Sequence, residues 1–260
     1  MRKSGLKKIY FFFSSIFIFL LHLPFVFAKN KPADEKGGPA FLASHATTDS
    51  VSRLTELAPS SGFSSLYESL RLNLMGLSKQ AFDYAMQGFN YLVKTGKLAN
   101  DRIISIADFS LPSSKKRLFV IDLDEQKVVF NTYVAHGANS GTLNATRFSN
   151  TPESNESSLG FYETSNTYIG GHGYSLRLDG LEPGFNDNAN RRDIVMHAAP
   201  YVNEDLIRSQ GYIGRSWGCP AVPESLHKPI IDKIKNGTCL FIFSPDKNYL
   251  SHSRVLHPAA

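Results

Sequence analysis

The chain has 260 residues, of which 42% are hydrophobic and 20% are charged, so it is long enough to bury a full hydrophobic core. Its formal net charge of +5 comes from 28 basic and 23 acidic residues. Four of the basic residues and none of the acidic ones lie in the first 28 positions, so the remainder has 24 basic residues against 23 acidic ones. Because that remainder has no basic stripe interleaved with aromatic residues, the composition argues against a nucleic-acid partner.

The first 28 residues have the parts of a secretory signal peptide. Four lysine and arginine residues precede an apolar stretch over residues 9–23, and residues 26–28 supply a small-residue cleavage site. An uncleaved membrane anchor is the alternative, but His22 and Pro24 interrupt the apolar stretch. We therefore expect an exported protein with no stable membrane span after the leader is cleaved.

Residues 29–62 are rich in Pro, Gly, Ser, Thr and charge, which predicts a flexible linker. A small helical segment is expected over residues 63–100. Ser78 can cap its main helix, Gly96 can close it, and Gly88 inside it indicates a close helix contact, since it costs about 1 kcal/mol relative to alanine. The apolar residues recur every three or four positions and predict a packing face: Phe82, Ala85, Met86, Phe89, Leu92 and Val93.

Beyond Asp101 the hydrophobic pattern changes to that of β-strands. Residues 117–123 and 127–135 are β-rich runs joined by a short polar turn, which predicts a hairpin. The Asn- and Ser-rich stretch over residues 137–157 is interpreted as a surface loop. The fold class is therefore mainly β, α+β overall, with one domain over residues 101–246 and a C-terminal tail over residues 247–260. Further short strands are expected near Phe161, Tyr168, Leu176, Ile194 and Leu240.

The most informative motif is Gly-Arg-Ser-Trp-Gly-Cys-Pro at residues 214–220. The thiolate is the nucleophilic form of cysteine, and a neighbouring imidazole can lower the thiol pKa and accept its proton. Cys219 together with His197, at the end of an apolar run upstream, therefore supplies the minimum for acyl transfer. Gly218 leaves the backbone N–H groups of Gly218 and Cys219 open to a substrate oxygen, and loss of such an oxyanion donor costs about 3 kcal/mol.

A disulfide between Cys219 and Cys239 is the alternative for an exported protein with two cysteines. Cys239 lies in a continuous apolar run over residues 238–243, which predicts a strand buried on both faces. Free cysteine in such a strand behaves as a small hydrophobic residue. The sequence therefore favours a free, reactive Cys219.

These residues resemble the L,D-transpeptidase catalytic domain (YkuD-like) family, in particular its murein L,D-transpeptidase branch. His197 followed by Ser216-x-Gly218-Cys219 is similar to the family signature His…Ser/Thr-His-Gly-Cys. The resemblance covers residues 101–246, and its other matching segments follow in the expected order at residues 134–137, 158–162, 174–178 and 194–197.

The sequence departs from the broad family pattern in three places. Trp217 stands where the family usually has a histidine, and Pro220-Ala221 replaces an apolar residue followed by Arg or Asn. The insert between His197 and Ser216 is also slightly long. These departures leave the expected chemistry intact and concern the substrate contacts.

The resemblance implies a β-sandwich-like core and peptidoglycan stem peptides as the substrate. Together with the leader, it implies a place in the periplasm or cell envelope. Cys219 would attack the bond after the L-centre of the diamino acid, with His197 as general base and then acid. D-Alanine would leave a thioester on Cys219, and an amine of another stem would resolve it into a cross-link. With water as the acceptor the same site would be an L,D-carboxypeptidase, and a decayed site would leave a peptidoglycan-binding envelope protein.

Five further residues are candidates for the site. Ser216 can orient the imidazole, donate to the substrate or stabilise the turn, and these roles stay open. Arg215 can pair with a stem carboxylate. His172 lies in a glycine-rich loop, and the resemblance implies that this region contributes to the site. Tyr174 and Trp217 can line the substrate groove, although packing is the ordinary role of aromatic residues.

Metal sites and other cysteine enzymes are disfavoured by residue spacing. Residues 186–193 are rich in Asn and Asp but lack the spacing of a calcium loop, and no His-x-x-x-His or Cys-x-x-Cys pair suggests zinc.

Sortases also place His before Cys but have Thr-Leu-x-Thr-Cys and a downstream arginine, for which this chain offers only Arg254. Papain-like peptidases place Cys before His. The expected chemistry requires no metal and no cofactor.

Overall fold

A computed structural model describes residues 61–258 of the chain. The predicted signal peptide over residues 1–28 and nearly all of the predicted linker over residues 29–62 lie outside the described residues. Within residues 61–258, no helix combines the length and the hydropathy needed to cross a bilayer.

Three helices precede the sheet: α1 (Ser61–Ser69), α2 (Leu72–Met75) and α3 (Lys79–Lys94). Ser78 caps α3, because its side chain accepts a hydrogen bond from Ala81 N–H at 3.1 Å. Five of the six residues predicted for the apolar face of α3 are buried, Val93 is half-buried, and Gly88 belongs to the buried face. A Cβ at Gly88 would overlap the ring of Phe161. The close contact expected at this glycine therefore exists, with a ring of the sheet rather than with another helix.

The sheet contains β1 (Ile103–Asp108), β2 (Leu118–Asp122), β3 (Lys127–Thr132), β4 (Gly160–Gly170), β5 (Gly173–Gly180), β6 (Val195–Ala198), β7 (Ala221–Val222) and β8 (Cys239–Phe243). Their spatial order is β3-β2-β1-β8-β4-β5-β6-β7. The pairs β1–β8 and β6–β7 are parallel, and the other neighbours are antiparallel. The prediction of a mainly β, α+β fold behind a helical segment is confirmed.

The core of the molecule lies where α3 packs on β1 and β8. Both strands are buried along their whole length, as a continuous apolar pattern predicts for strands covered on both faces. Phe161 of β4 stacks on Phe241 of β8 with ring centroids 4.1 Å apart. Because the Phe161 ring also lies against Gly88, this aromatic stack joins the centre of the sheet to α3.

Two more helices flank the second half of the chain, α4 (Glu204–Gln210) and α5 (His227–Ile234). The segment predicted as a C-terminal tail contains a further helix, α6 (Lys247–His252). Its Tyr249 is buried and donates a hydrogen bond to Glu182 Oε2 at 2.8 Å, and the Ser253 hydroxyl donates to the same carboxylate. Burial raises the pKa of Glu182. This buried carboxylate ties the C-terminal segment to the rest of the domain.

Candidate active site

His197 lies on β6 and is buried, with 3% of its surface exposed. Its Nδ1 atom is 2.8 Å from the carbonyl oxygen of Ala198. Because a carbonyl oxygen only accepts, Nδ1 carries the proton of the neutral ring and Nε2 carries the lone pair. The backbone of β6 thus holds the imidazole in the tautomer whose Nε2 can accept a proton.

Cys219 lies two residues before Ala221, which pairs with His197 in the parallel β6–β7 ladder. Its half-buried thiol donates to the carbonyl oxygen of Asp193, with Sγ and O 3.5 Å apart. The structure therefore places His197 on β6 and Cys219 in the loop directly before the neighbouring strand β7, with the thiol hydrogen turned toward Asp193 rather than toward the imidazole.

The pKa values of both groups favour an uncharged resting pair. Burial raises the pKa of the Cys219 thiol, and a hydrogen bond from Val195 N–H and the charge of Arg192 oppose this only in part. Burial lowers the pKa of His197, and the charge that His172 can carry lowers it further, against the hydrogen bond to Ala198. Both directions favour a thiol and a neutral imidazole over a thiolate–imidazolium pair.

The Ser216 hydroxyl stabilises the turn of the cysteine loop, residues 214–220. It donates to the Cys219 carbonyl oxygen at 2.7 Å and accepts from Gly218 N–H at 3.1 Å. Gly218 N–H is thus already bonded, contrary to the expectation that it would be open to substrate. Across residues 61–258, no acceptor takes the N–H groups of Trp217 and Cys219. The N–H groups on either side of Gly218 are therefore without an acceptor within the described residues.

Gly218 has a backbone conformation that requires glycine, with φ at +122°. A Cβ at this position would lie 2.8 Å from the Glu156 carbonyl oxygen and 3.2 Å from Arg192 Nη2. Glycine is therefore needed at position 218 for the backbone conformation of the loop, and also because there is no room for a side chain. Any side chain there would push the cysteine loop away from its neighbours.

Part of the stretch predicted as a surface loop, residues 137–157, is packed against the cysteine loop. Ser157 is buried, donates to the Gly218 carbonyl oxygen at 3.2 Å and accepts from Gly137 N–H at 3.0 Å. The surface-loop interpretation is wrong for this part, because hydrophilic composition does not reveal that serine hydroxyls bond to a distant loop.

The tip of the β4–β5 hairpin brings His172 onto His197. The two rings stack with centroids 4.3 Å apart and planes 23° apart, and His172 itself is exposed. The glycine-rich loop that the sequence singled out therefore reaches the candidate base.

The remaining predicted site residues differ in their exposure and in the groups that they contact. Trp217 is 81% exposed, directly before the buried Gly218. Arg215 is exposed, with Nη1 3.4 Å from the carbonyl oxygen of Gly141. Tyr174 faces α5 instead, where its hydroxyl donates to Asp232 Oδ1 at 2.7 Å. The contacts of Tyr174 indicate packing against a helix rather than a place in the groove.

Both cysteines are free. Cys239 is completely buried in β8, and burial raises the pKa of its thiol. The structure thus agrees with the interpretation of Cys239 as a small hydrophobic residue and excludes the alternative disulfide.

Sequence reasoning missed two residues beside the thiol, Arg192 and Asp193. Asp193 supplies the carbonyl that accepts from Sγ, and Arg192 lies against Gly218. Both belong to an Asn- and Asp-rich stretch that was weighed only as a calcium loop. Their position immediately before the strand that carries His197 was the available signal.

The family model for the L,D-transpeptidase catalytic domain matches residues 74–243. The chain belongs to the L,D-transpeptidase catalytic domain family. The matched region runs from α2 to the end of β8, so it contains His197, Cys219 and the helix packed on the sheet. The family acts on peptidoglycan, which is consistent with a place in the cell envelope. No curated protein matches the chain.

Solved structures similar to this chain are also L,D-transpeptidases or cell-shape proteins. An L,D-transpeptidase from Mycobacterium smegmatis is 13% identical, with a TM-score of 0.34 over 55% of this chain and 59% of that one. An L,D-transpeptidase from Stackebrandtia nassauensis is 14% identical, with a TM-score of 0.34 over 65% and 69%. A variant of the helical cell shape determining protein Pgp2 from Campylobacter jejuni is 14% identical, with a TM-score of 0.39 over 63% and 57%. The family assignment rests on the matched residues, not on these low scores.

Proposed function

We propose that this L,D-transpeptidase family member is a cysteine-dependent enzyme that cross-links peptidoglycan stem peptides. The observation that carries the proposal is the placement of Cys219 two residues before the pair formed by Ala221 and His197, within the matched catalytic domain. Export to the periplasm by the predicted leader is part of the proposal.

The first step is attack of the Cys219 sulfur on the carbonyl carbon at the L-centre of the stem diamino acid. As the carbon–sulfur bond forms, Nε2 of His197 takes the thiol proton, which requires Sγ to turn from Asp193 toward the imidazole. A neutral base and a protonated thiol suit this order of events, because the proton leaves only as the nucleophile attacks.

The tetrahedral intermediate carries a negative oxygen. The N–H groups of Trp217 and Cys219 are the donors proposed for it, since Ser216 already accepts from Gly218 N–H. Collapse of the intermediate breaks the amide bond, His197 returns its proton to the nitrogen of the departing D-alanine, and the stem stays bound as a thioester of Cys219.

The second step repeats this chemistry with an acceptor. An amine of another stem attacks the thioester, His197 takes a proton from it and returns that proton to the sulfur, and a new peptide bond links the two stems. Water as the acceptor yields a shortened stem and carboxypeptidase action instead.

The test is mass analysis of stem-peptide fragments incubated with the wild type and with Cys219→Ala. We expect the wild type to release D-alanine, to form cross-linked dimers and to show a thioester adduct on Cys219, all absent from Cys219→Ala. Cys239→Ala is the matched control and should react like the wild type. Shortened stems without dimers would favour the carboxypeptidase, and no change with no adduct from a carbapenem would favour a binding protein.

A further inference from the structure

Arg192 is a charged residue beside the cysteine loop, and the acyl-transfer steps proposed above do not use it. It ends the short 3₁₀ helix Asn190–Arg192 and directly precedes Asp193, the acceptor of the thiol hydrogen. Its guanidinium is half-buried. Removing a charge from water costs free energy unless other groups pair with it, so the hydrogen-bond partners of this guanidinium are informative.

The guanidinium contacts one segment, residues 149–158, at four acceptors. Nη1 donates to the Ser149 carbonyl oxygen at 2.6 Å and to the Ser158 hydroxyl. Nη2 donates to the Glu156 carbonyl oxygen at 2.6 Å and to Ser154 Oγ at 3.1 Å. All four acceptors are neutral, so this set of bonds leaves the positive charge without a counter-ion.

Of the two carboxylates in the same segment, that of Glu156 pairs with another cation, and Glu153 makes no ion pair with Arg192. Glu156 Oε1 is 3.3 Å from Nε of Arg147, on the exposed side of the segment. Burial lowers the pKa of Arg192, and the deprotonated forms of Tyr162 and Cys219, together with the charge of Glu156, oppose that effect. A thiolate on Cys219 is therefore one of the few anions placed to balance this guanidinium.

The segment held by Arg192 is also the wall against which the cysteine loop packs. A Cβ on Gly218 would lie 2.8 Å from the Glu156 carbonyl oxygen and 3.2 Å from Arg192 Nη2. Ser157, between the clamped residues, donates to the Gly218 carbonyl oxygen at 3.2 Å. Arg192 thus touches both the loop that carries the thiol and the segment that supports it.

We propose that Arg192 is a positioning residue for acyl transfer, one that holds residues 149–158 against the cysteine loop and stabilises negative charge on the Cys219 sulfur. This inference deepens the proposed function and rests on it for its role in catalysis. Partial negative charge builds on the sulfur as its proton moves to His197 during attack and again as the thioester breaks, and Arg192 is charged throughout.

Other titratable groups face the same sulfur. Asp193 raises the pKa of Cys219, opposite in sign to Arg192. Tyr201, after β6, has its pKa raised to about 12 by burial and by the charge of Cys219. His197 and the stacked His172 lie on the neighbouring strand and hairpin. Arg192 is thus the permanent cation among the groups whose charge shifts the pKa of Cys219.

The experiment measures the rate at which iodoacetamide alkylates Cys219 from pH 5 to pH 10, in the wild type, Arg192→Gln, Arg192→Lys and Arg191→Gln. Peptide mapping by mass spectrometry separates Cys219 from Cys239, and thermal unfolding reports folding of each variant. Arg191 is exposed and adjacent, so Arg191→Gln removes the same charge without touching the cysteine loop.

We expect Arg192→Gln to lower the alkylation rate at pH 7 by about tenfold and to move the pH midpoint upward. Arg192→Lys should keep a midpoint near that of the wild type, since it keeps the charge, and Arg191→Gln should match the wild type. An unchanged midpoint in Arg192→Gln, or an equal shift in Arg192→Lys and Arg192→Gln, would overturn the proposal. If Arg192→Gln does not fold while Arg191→Gln does, Arg192 is a purely structural residue and the proposed role on the sulfur is overturned.

Alkylation reads the thiol directly and does not depend on a transpeptidase reaction. A wild type that forms no acyl-enzyme but shows an Arg192-dependent midpoint would refute the proposed function alone. Normal cross-linking and a normal midpoint in Arg192→Gln would refute the role of Arg192 alone.

Discussion

The imidazole rings of His172 and His197 stack with their centroids 4.3 Å apart and their planes inclined by 23°. His197 is buried on β6, whereas His172 is exposed at the tip of the β4–β5 hairpin. The hairpin therefore covers one face of the proposed base. Burial lowers the pKa of His197, and a charge on His172 lowers it further.

Removal of His172 should move the pH dependence of acylation. Both His172→Ala and His172→Phe remove the charge that lowers the pKa of His197, and His172→Ala also exposes the ring, so the pKa of His197 rises in both. More of the base is then protonated in mild acid, and the rate of Cys219 acylation at pH 5.5 should fall by roughly threefold. His252→Ala, an exposed histidine on α6, is the control. An acid limb at the same pH in all four proteins would contradict the prediction.

The two cysteines should differ in native labelling. Iodoacetamide should modify Cys219 in folded protein, whereas Cys239 should react only after denaturation, because it is fully buried and burial raises the pKa of its thiol. Mass spectrometry of peptides from native and denatured samples measures this. Equal labelling of both residues, or no free thiol before reduction, would show that the assignment of their roles is wrong.

Gly88→Ala should destabilise the protein, although alanine is the better helix former. The added Cβ would overlap the Phe161 ring, and such overpacking typically costs about 1–3 kcal/mol of unfolding free energy. Urea unfolding measures the change. Gln80→Ala, at an exposed position of the same helix, should stay within about 0.5 kcal/mol of the wild type. The double variant with Phe161→Leu should lose less than the sum of its parts, and simple additivity would contradict the proposed overlap.

Asp122 should account for part of the loss of stability in acid. The buried carboxylate accepts from Arg102 Nη2 at 2.9 Å and from Lys233 Nζ at 3.0 Å. Burial raises its pKa, but hydrogen bonds from Arg102, Glu125 N–H and Lys233 bring the pKa well below the ordinary value. Because the folded-state pKa is depressed, this stabilisation is complete above the unfolded-state pKa of about 4 and is lost as the pH falls through the folded-state pKa.

Asp122→Asn should therefore lower the unfolding free energy at pH 7 by about 2 kcal/mol, and the variant should lose less further stability between pH 5 and pH 2 than the wild type. Urea titrations at a series of pH values measure both effects. Asp205→Asn removes an exposed carboxylate on α4 and should change neither by more than about 0.5 kcal/mol. Parallel stability curves for the wild type and Asp122→Asn would contradict the assignment.

Local pattern sufficed for much of the architecture. The spacing on α3, the cap at Ser78, the β2–β3 hairpin and the buried strand around Cys239 all follow from periodicity over a few residues. The helix at the C-terminus was missed because its docking depends on Glu182, a buried carboxylate far away in sequence. A charged residue in a loop gives no periodic signal of such a contact.

By itself, the sequence determined the family, the fold class and the order of the histidine and the cysteine, because these depend on the residues present and on their local spacing. Only the tertiary structure decided which atoms meet. It set the tautomer of His197 through Ala198, bonded Gly218 N–H to Ser216, and placed Arg192 against the cysteine loop. These relationships join groups across turns and strands, so their geometry exists only once the chain has folded.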